Sequence, residues 1–523
     1  MRIVTSAQMA AIDADTILSG VPGLELMERA GREMVLAILD LMPEFDPPAA
    51  VAVCCGKGNN GGDGLVVARQ LDQLGYEVTV MMLTADEDLA PDARTNLDRL
   101  PEEVEIVRPA PEDWAREMGR LCAENDLLID AVFGTGIRPP VSDAYAALFA
   151  ACDRRLATVV SLDVPSGVSG DDGSVDPVAV RADATVTVGL PKLGLLLPPG
   201  RDHVGALEVV DIGFPDEITE SHASDLHYLL MEEIADLLPD RPGDLHKYTA
   251  GTALVVAGSH RFGGAALLAG LGALRSGAGL VSLALPQEHA AVALGFVPEA
   301  LLHPLPTGNA GGLAPVAPDV LTALLDRQCA WAVGPGLGDD PDTDRWVVEA
   351  LAAVDLPTVV DADALSAFAR LDCEPSFASA QTILTPHVGE LARLGGVSTE
   401  EAAARRLELA GDLARRWNVV VVAKGAPTIV AAPDGFTALN ATGNDALAHG
   451  GTGDVLTGLL VGLLAQGMEA LDAALLGCWL HGRAGELAGV DGSRRSVLAR
   501  EVADHLGEAM TELTWRLGWG EDA

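Results

Sequence analysis

Short, wholly apolar runs separated by helical stretches recur along both halves of this 523-residue chain, and a parallel sheet covered on both faces gives each run a place. In the first half the runs are Ala49 to Cys55, Glu77 to Leu83, Leu127 to Phe133 and Ala157 to Val164. In the second they are Thr252 to Ala257, Leu280 to Leu285, Ala330 to Val333, Thr358 to Asp361, Thr382 to Thr385 and Val419 to Ala423. Ahead of them, Arg2 to Val4 reads as strand, Thr5 with Gln8 as a capping box that opens a helix, and Glu25 to Leu41 as further helix. The acid-rich, Pro-bounded segment Phe214 to Asp244 interrupts the rhythm and reads as a linker. The expected fold class is therefore α/β, with two three-layer α/β domains over residues 1–218 and 225–515, the first doubly wound. No repeated motif relates the halves, so internal duplication is not supported.

Charge narrows the partners. Against 34 Lys and Arg stand 76 Asp and Glu, a net charge of −42 that repels phosphate backbones and anionic lipid, so neither nucleic acid nor a membrane is an expected partner. Only four of the basic residues are lysines, Lys57, Lys192, Lys247 and Lys424; with 4% aromatics, this composition suggests a salt-adapted cytosol. Seven cysteines without a CxxC pair suggest a reducing compartment. The start lacks a basic region leading into an apolar core, and no run reaches 18 apolar residues, so a soluble cytoplasmic protein is expected.

Residues 54–64 hold five glycines in eleven positions, directly after an apolar run and before a helix expected near Leu65. Backbone N–H groups there can converge on one point, and the helix adds its positive end, which makes an anion cradle suited to a nucleotide phosphate. It is neither a Walker A loop nor GxGxxG with an acid after the next strand. The same glycines would also serve a plain tight turn. Two further strand ends carry polar groups, Asp130 followed by Gly134-Thr135-Gly136, and Asp163-Val164-Pro165-Ser166-Gly167. If these loops share one edge, Asn60, Asp130 and Ser166 offer the hard oxygens of a site for a cation of low charge. Asp163 is then the candidate acid or base.

This first set of motifs, with Leu26 to Gly31 near the start, resembles the NAD(P)H-hydrate epimerase domain over residues 1–213. The resemblance implies a Rossmann-like fold, and a hydrated dinucleotide held by Asn59, Asn60, Gly61, Gly62 and Asp63 and by Gly134, Thr135, Gly136, Ile137, Arg138, Pro139 and Pro140. It further implies K+ on Asn60, Asp130 and Ser166, with Asp163 touching the substrate.

Towards the other end, Gly451, Thr452, Gly453 and Asp454 precede a helix expected from Val455. N–H groups at such a terminus can hold a transferring phosphoryl group while Asp454 accepts a proton from a substrate hydroxyl. The bland reading has Thr452 or Asp454 merely capping the helix. Lys424, Gly425, Ala426, Pro427 and Thr428 follow a strand where they could meet nucleotide phosphates. Gly334 to Gly338, Asp361 to Leu365 and Thr385-Pro386-His387 follow three more. His387 and Glu390 have metal-pair spacing, but a substrate-facing imidazole is the preferred reading.

Together with Gly258-Ser259 and Gly263 onward, these motifs resemble the ribokinase-like NAD(P)H-hydrate dehydratases over residues 225–510. That resemblance implies that Ala265, Gly338, His387 and Asp454 contact the hydrate, and that Lys424 to Thr428 with Gly451, Thr452 and Gly453 contact a nucleotide. It also implies ADP, or ATP, as phosphoryl donor with Mg2+, and a homo-oligomer by family habit. The family usually has Gly-Asn-Pro-Gly where this chain has Asn444 followed by Asp445 and Ala446, and here His449 precedes the glycines. The expected activity is repair of hydrated NADH and NADPH by epimerisation and dehydration. The alternative is a ribokinase-like small-molecule kinase fused to a nucleotide-sensing domain.

Overall fold

The computed structural model describes residues 1–516 apart from 138, 139, 153, 155, 223 and 491, so Arg138 and Pro139 lie outside the described residues. The chain divides into two compact units, Met1–Leu226 and His227–Ala523. In the first, seven strands form one sheet: β1 (Ala50–Cys55), β2 (Glu77–Met82), β3 (Glu105–Val107), β4 (Leu127–Ala131), β5 (Thr158–Leu162), β6 (Ala184–Val188) and β7 (Ala206–Val210). Their order is 3-2-1-4-5-6-7, and every pairing is parallel. Val51, Val53 and Cys55 point into one buried cluster, Ala52 and Cys54 into the other, so β1 has no face that water reaches. The order reverses between β1 and β4, and the crevice outside their carboxyl ends is where such a sheet binds ligands.

The second unit carries β8 (Leu226–Leu229), β9 (Thr252–Val256), β10 (Leu280–Pro286), β11 (Leu301–Leu305), β12 (Ala330–Val333), β13 (Thr358–Val360), β14 (Thr382–Leu384), β15 (Val420–Ala423), β16 (Ile429–Ala431) and β17 (Thr437–Asn440). The order is 11-10-9-12-13-14-15-16-17-8, parallel from β11 to β15 and antiparallel through β15, β16 and β17. The reversal falls between β9 and β12. Both units are thus three-layer α/β folds of the expected class.

The expected linker is structured. Phe214 to Asp244 contains the helix Asp216–His222, β8 and the helix Met231–Ala235, because Leu229, Ile234 and Ala235 supply apolar side chains to the core of the second unit. Acids between them mask that signal in the sequence. Among the described residues, no helix is long and apolar enough to cross a membrane.

Two helices of the second unit, Gly263–Arg275 and Thr452–Ala465, pack at glycine-limited distance. A Cβ on Gly458 would be driven into the backbone carbonyl of Ala269, which cannot retreat as a side chain could. Gly458→Ala should therefore lower the stability of this unit by about 2–3 kcal/mol despite the better helix propensity of alanine, a loss readable by urea unfolding.

Candidate functional site

The helix after β1 begins at Asn59, not Leu65, so Asn59 to Gly64 form its first turns. Packing explains the difference. A Cβ on Gly64 would lie 2.6 Å from the Ala131 Cβ, and one on Gly62 would lie 2.7 Å from the Met27 Sδ, so these glycines admit close neighbours. Among the described residues, no side chain caps this helix, which follows β1 at the carboxyl end of the sheet.

Here the structure brings Asn60, Asp130 and Ser166 together. Asp130 is buried in β4, and its carboxylate accepts from Ser166 Oγ (2.6 Å), Ser166 N (2.8 Å) and Ser161 Oγ (2.9 Å). Burial raises its pKa, and these bonds oppose that rise. Phe133 joins the three, since its N–H donates to Ser166 Oγ (2.9 Å) and its carbonyl accepts from Asn60 Nδ2 (2.8 Å). Asn60 Oδ1 is buried and has no hydrogen-bond partner among the described residues. An orphaned amide oxygen beside a carboxylate, a hydroxyl and a carbonyl is the donor chemistry of a hard cation of low charge. Among the described residues, no cluster of three His, Cys, Asp or Glu side chains could hold a metal.

Asp163 follows β5 with a φ of 65°, a conformation rare outside glycine, and its Oδ2 accepts from Thr135 N (3.3 Å). A Cβ on Gly134 would stand 2.9 Å from that oxygen and 3.3 Å from the Asn60 Cβ, so the glycine lets the three loops meet. Ile137 folds back with its N–H on Gly134 O (3.3 Å), while Gly136 and Pro140 are exposed. Burial, then Asp163 and Asp13, push the Asp63 carboxyl well above the ordinary carboxylate range, and Lys192 opposes them. Asp13, on the helix Ser6–Leu18, is raised by burial and by Asp163. Sequence reasoning gave no function to Asp13 and marked Lys192 only as one of four rare lysines.

In the second unit the helix begins at Thr452 rather than Val455, so Asp454 occupies its first turn. Gly451 precedes it with a φ of 97°, a backbone that side chains rarely adopt, and a Cβ there would lie 2.5 Å from the Leu268 Cδ1 of the helix Gly263–Arg275. The capping alternative fails. Thr452 Oγ1 turns away to Leu447 O (2.9 Å) and His449 O (3.0 Å), and among the described residues no side chain caps the terminus. Asp454 has its pKa pushed up to about 7, first by burial and then by the charge of Asp361, with Lys424 opposing. His481, held neutral with its pKa pulled down to about 4 by burial, meets Thr452 O from Nε2 (2.9 Å) and fixes the first turn.

Lys424, expected at the nucleotide phosphates, has a carboxylate partner within the chain. Its Nζ bonds Asp361 Oδ1 (2.7 Å), whose other oxygen accepts from Thr457 Oγ1 (2.8 Å). The carbonyl of Pro427 is taken by Arg406, and Thr428 Oγ1 bonds Gly425 O (3.1 Å), which leaves Gly425 and Ala426 as the exposed part of this stretch. Gly338 donates to Asp363 Oδ2 (2.8 Å), and Ala265 lies against the same loop, where a Cβ on Gly336 would approach its own to 2.9 Å. His387 caps the helix Val388–Gly395: its Nδ1 accepts from Gly389 N (2.9 Å), and Glu390 returns a bond to His387 N (2.8 Å). That reciprocal cap accounts for the spacing without a metal and puts the imidazole proton on Nε2. The unusual loop is closed locally, with Asn444 Oδ1 accepting from Ala446 N (2.9 Å) and His449 reaching the carbonyls of Ala446 and Arg495 (both 3.1 Å).

Comparison with known proteins follows the same division. The family model described as YjeF-related protein N-terminus matches residues 23–194, and that of NAD(P)H-hydrate dehydratase matches residues 253–507. A bifunctional NAD(P)H-hydrate repair enzyme of Moorella thermoacetica is 38% identical over 512 residues, covering 97% of this chain and 96% of that one. One from Salinibacter ruber is 39% identical over 532 residues, covering 98% and 96%. Among solved structures, an ADP/ATP-dependent NAD(P)H-hydrate dehydratase of Bacillus subtilis, co-crystallised with ATP and Mg2+, is 35% identical with a TM-score of 0.48, covering 55% of this chain and 98% of that one.

Proposed function

The chain belongs to the family of bifunctional NAD(P)H-hydrate repair enzymes, and from that premise we propose how its two sites divide the repair of hydrated NADH and NADPH. The first unit interconverts the R and S hydrates, and the second removes water from the S hydrate at the expense of ADP. Hydroxide is a poor leaving group and phosphate a good one, so dehydration proceeds through phosphorylation.

The observation that carries this reading is Asp454, a carboxyl with its pKa near neutrality in the first turn of an uncapped helix. Its carboxylate takes the proton of the substrate hydroxyl as that oxygen attacks the terminal phosphorus of ADP, supplied as its Mg2+ complex, and AMP departs. The N–H groups of Gly451, Thr452 and Gly453 receive the charge on the phosphoryl oxygens, while Gly425 and Ala426 line the nucleotide with backbone. Ala265, Gly338 and His387 orient the hydrate. Loss of phosphate and of a proton from the neighbouring carbon restores the ring double bond.

In the first unit, Asn59 to Asp63, Gly134 to Ile137 and Pro140 hold the hydrate, and Asp163 moves the proton. Asn60 Oδ1, Ser166 and Asp130 would hold K+, which would supply a fixed positive charge to order those loops. Seven thiols with no disulfide among the described residues, and substrates from the intracellular nucleotide pool, favour the cytoplasm. Homo-oligomeric assembly, the family habit, is checked by sedimentation.

The deciding experiment follows NADH absorbance during recovery from purified R and S hydrates, with ADP or ATP. Recovery of both epimers with release of phosphate supports the reading. Accumulation of a stable phosphorylated product would instead favour the small-molecule kinase. Exchanging K+ for Li+ should slow recovery of the R hydrate about tenfold or more while sparing the S hydrate, since the orphaned Asn60 oxygen belongs to the first site alone.

A further inference from the structure

Lys192 lies between β6 and β7 and is fully buried, and a buried ammonium is costly unless it is paired and hydrogen-bonded. Its Nζ donates to Asp163 Oδ1 (2.6 Å), Val188 O (2.8 Å) and Thr187 Oγ1 (3.0 Å), which uses all three of its hydrogens. Thr187 Oγ1 lies 3.2 Å from the same Asp163 oxygen. The backbone around it is pinned, with Val4 N on Pro191 O (3.0 Å) and Leu193 N on Val4 O (3.0 Å). An ammonium so enclosed has no hydrogen left for a substrate.

What it does control is Asp163. One carboxylate oxygen is clamped from behind by Lys192 and Thr187, which leaves Oδ2 as the oxygen beside Gly134 and Thr135. The left-handed backbone at Asp163 carries a strain that its surroundings must hold in place. Asp13 and Asp63 feel the same ammonium, so one cation serves three acids.

We propose that Lys192 is the positioning residue of the epimerase site, fixing through Asp163 Oδ1 which oxygen of Asp163 meets the hydrate. This rests on Asp163 as the acid–base group of that site. The test measures conversion of R to S hydrate by the full chain, alongside its dehydratase rate. Lys192→Met keeps the length and loses the charge; it should lower kcat for epimerisation about a hundredfold with KM changed less than about threefold, and leave dehydration intact. Thr187→Val should cost about tenfold in kcat, while Thr187→Ser, which keeps the hydroxyl, should restore it. Should Lys192→Met fail to fold by circular dichroism, the Thr187 pair decides. A kcat within about twofold of the parent in Lys192→Met, or an equal loss in Thr187→Val and Thr187→Ser, overturns the proposal. Asp163→Asn serves as the control: if it retains epimerisation, the role given to Asp163 falls, whereas its loss beside an active Lys192→Met condemns only the role of Lys192.

Discussion

Asp454→Asn should lower ADP-dependent recovery of NADH from the S hydrate by about a thousandfold or more, with epimerisation unchanged. The amide keeps the shape of the side chain and the helix terminus but cannot accept the proton. In the parent enzyme the carboxylate form is the active one, so kcat/KM should rise with pH and level off above about 7. The neighbours bias that limb in opposite directions. Asp361 raises the Asp454 pKa and Lys424 lowers it, so Asp361→Asn should move the limb to lower pH and Lys424→Met to higher pH. Stability follows with the reverse benefit. A folded pKa raised above the unfolded value means that native protein gives up stability as pH climbs from about 4 to about 7, by as much as about 4 kcal/mol for a shift of this size. Asparagine carries no such charge. Asp454→Asn should therefore unfold at a higher denaturant concentration than the parent at pH 8, and the difference should vanish near pH 4. A base that is costly to ionise is what a site must keep in order to deprotonate a hydroxyl near neutrality.

Inner strands are legible where burial on both faces leaves a continuous apolar run, as for Ala330 to Val333, read to the residue as β12, whereas β3, β6, β7, β11, β16 and β17 are not among the runs the sequence singles out. Helix starts are not legible. Glycines at 61, 62 and 64 argue locally against a helix, yet the helix runs through them because its neighbours require their small size. At Thr452 and Gly453 the expected order of motif then helix gives way to one element, although a Cβ on Gly453 would meet only Lys424 Nζ, at 3.5 Å. β8 was hidden by the acids around it, since its partner β17 is some 200 residues later and no local pattern announces that pairing.

Site residues separated along the chain were legible in so far as each carried its own motif. Asn60, Asp130 and Ser166 did, and they meet at the carboxyl ends of β1, β4 and β5. Asp13 did not, being one acid in an ordinary amphipathic helix. Lysine scarcity was the better guide. Two of the four lysines, Lys192 and Lys424, are each paired with an aspartate that follows a strand, and each aspartate also takes a threonine hydroxyl, Thr187 or Thr457. A composition that spares so few lysines retains these two where a compact charge must be buried beside a carboxylate. For Lys424 the sequence suggests a phosphate partner; the structure adds Asp361, a bond that uses one of the three ammonium hydrogens and leaves the charge of Lys424 acting on Asp454.

The counterpart in the first unit is Asp163→Asn, which should abolish recovery of the R hydrate while the S hydrate is still restored at the parental rate. The two aspartates stand in separate compact units; Lys192 bonds Asp163 in the first, whereas in the second Lys424 bonds Asp361 and acts on Asp454 through its charge. With R and S present in equal amounts, this variant should release NADH equal to the S fraction and then stall, apart from slow spontaneous epimerisation. The loss should be about a hundredfold or more in the rate of R conversion, the scale of a positioned acid–base group. Binding should persist, because the N–H groups before and within the helix Asn59–Gln73 and the loop from Gly134 remain. A nucleotide-sensing module would behave differently: the R hydrate would then bind the parent chain without turnover, and Asp163→Asn would alter affinity alone. Measuring R-hydrate affinity by calorimetry together with its conversion separates the two, since an acid–base role removes conversion and leaves affinity within about threefold.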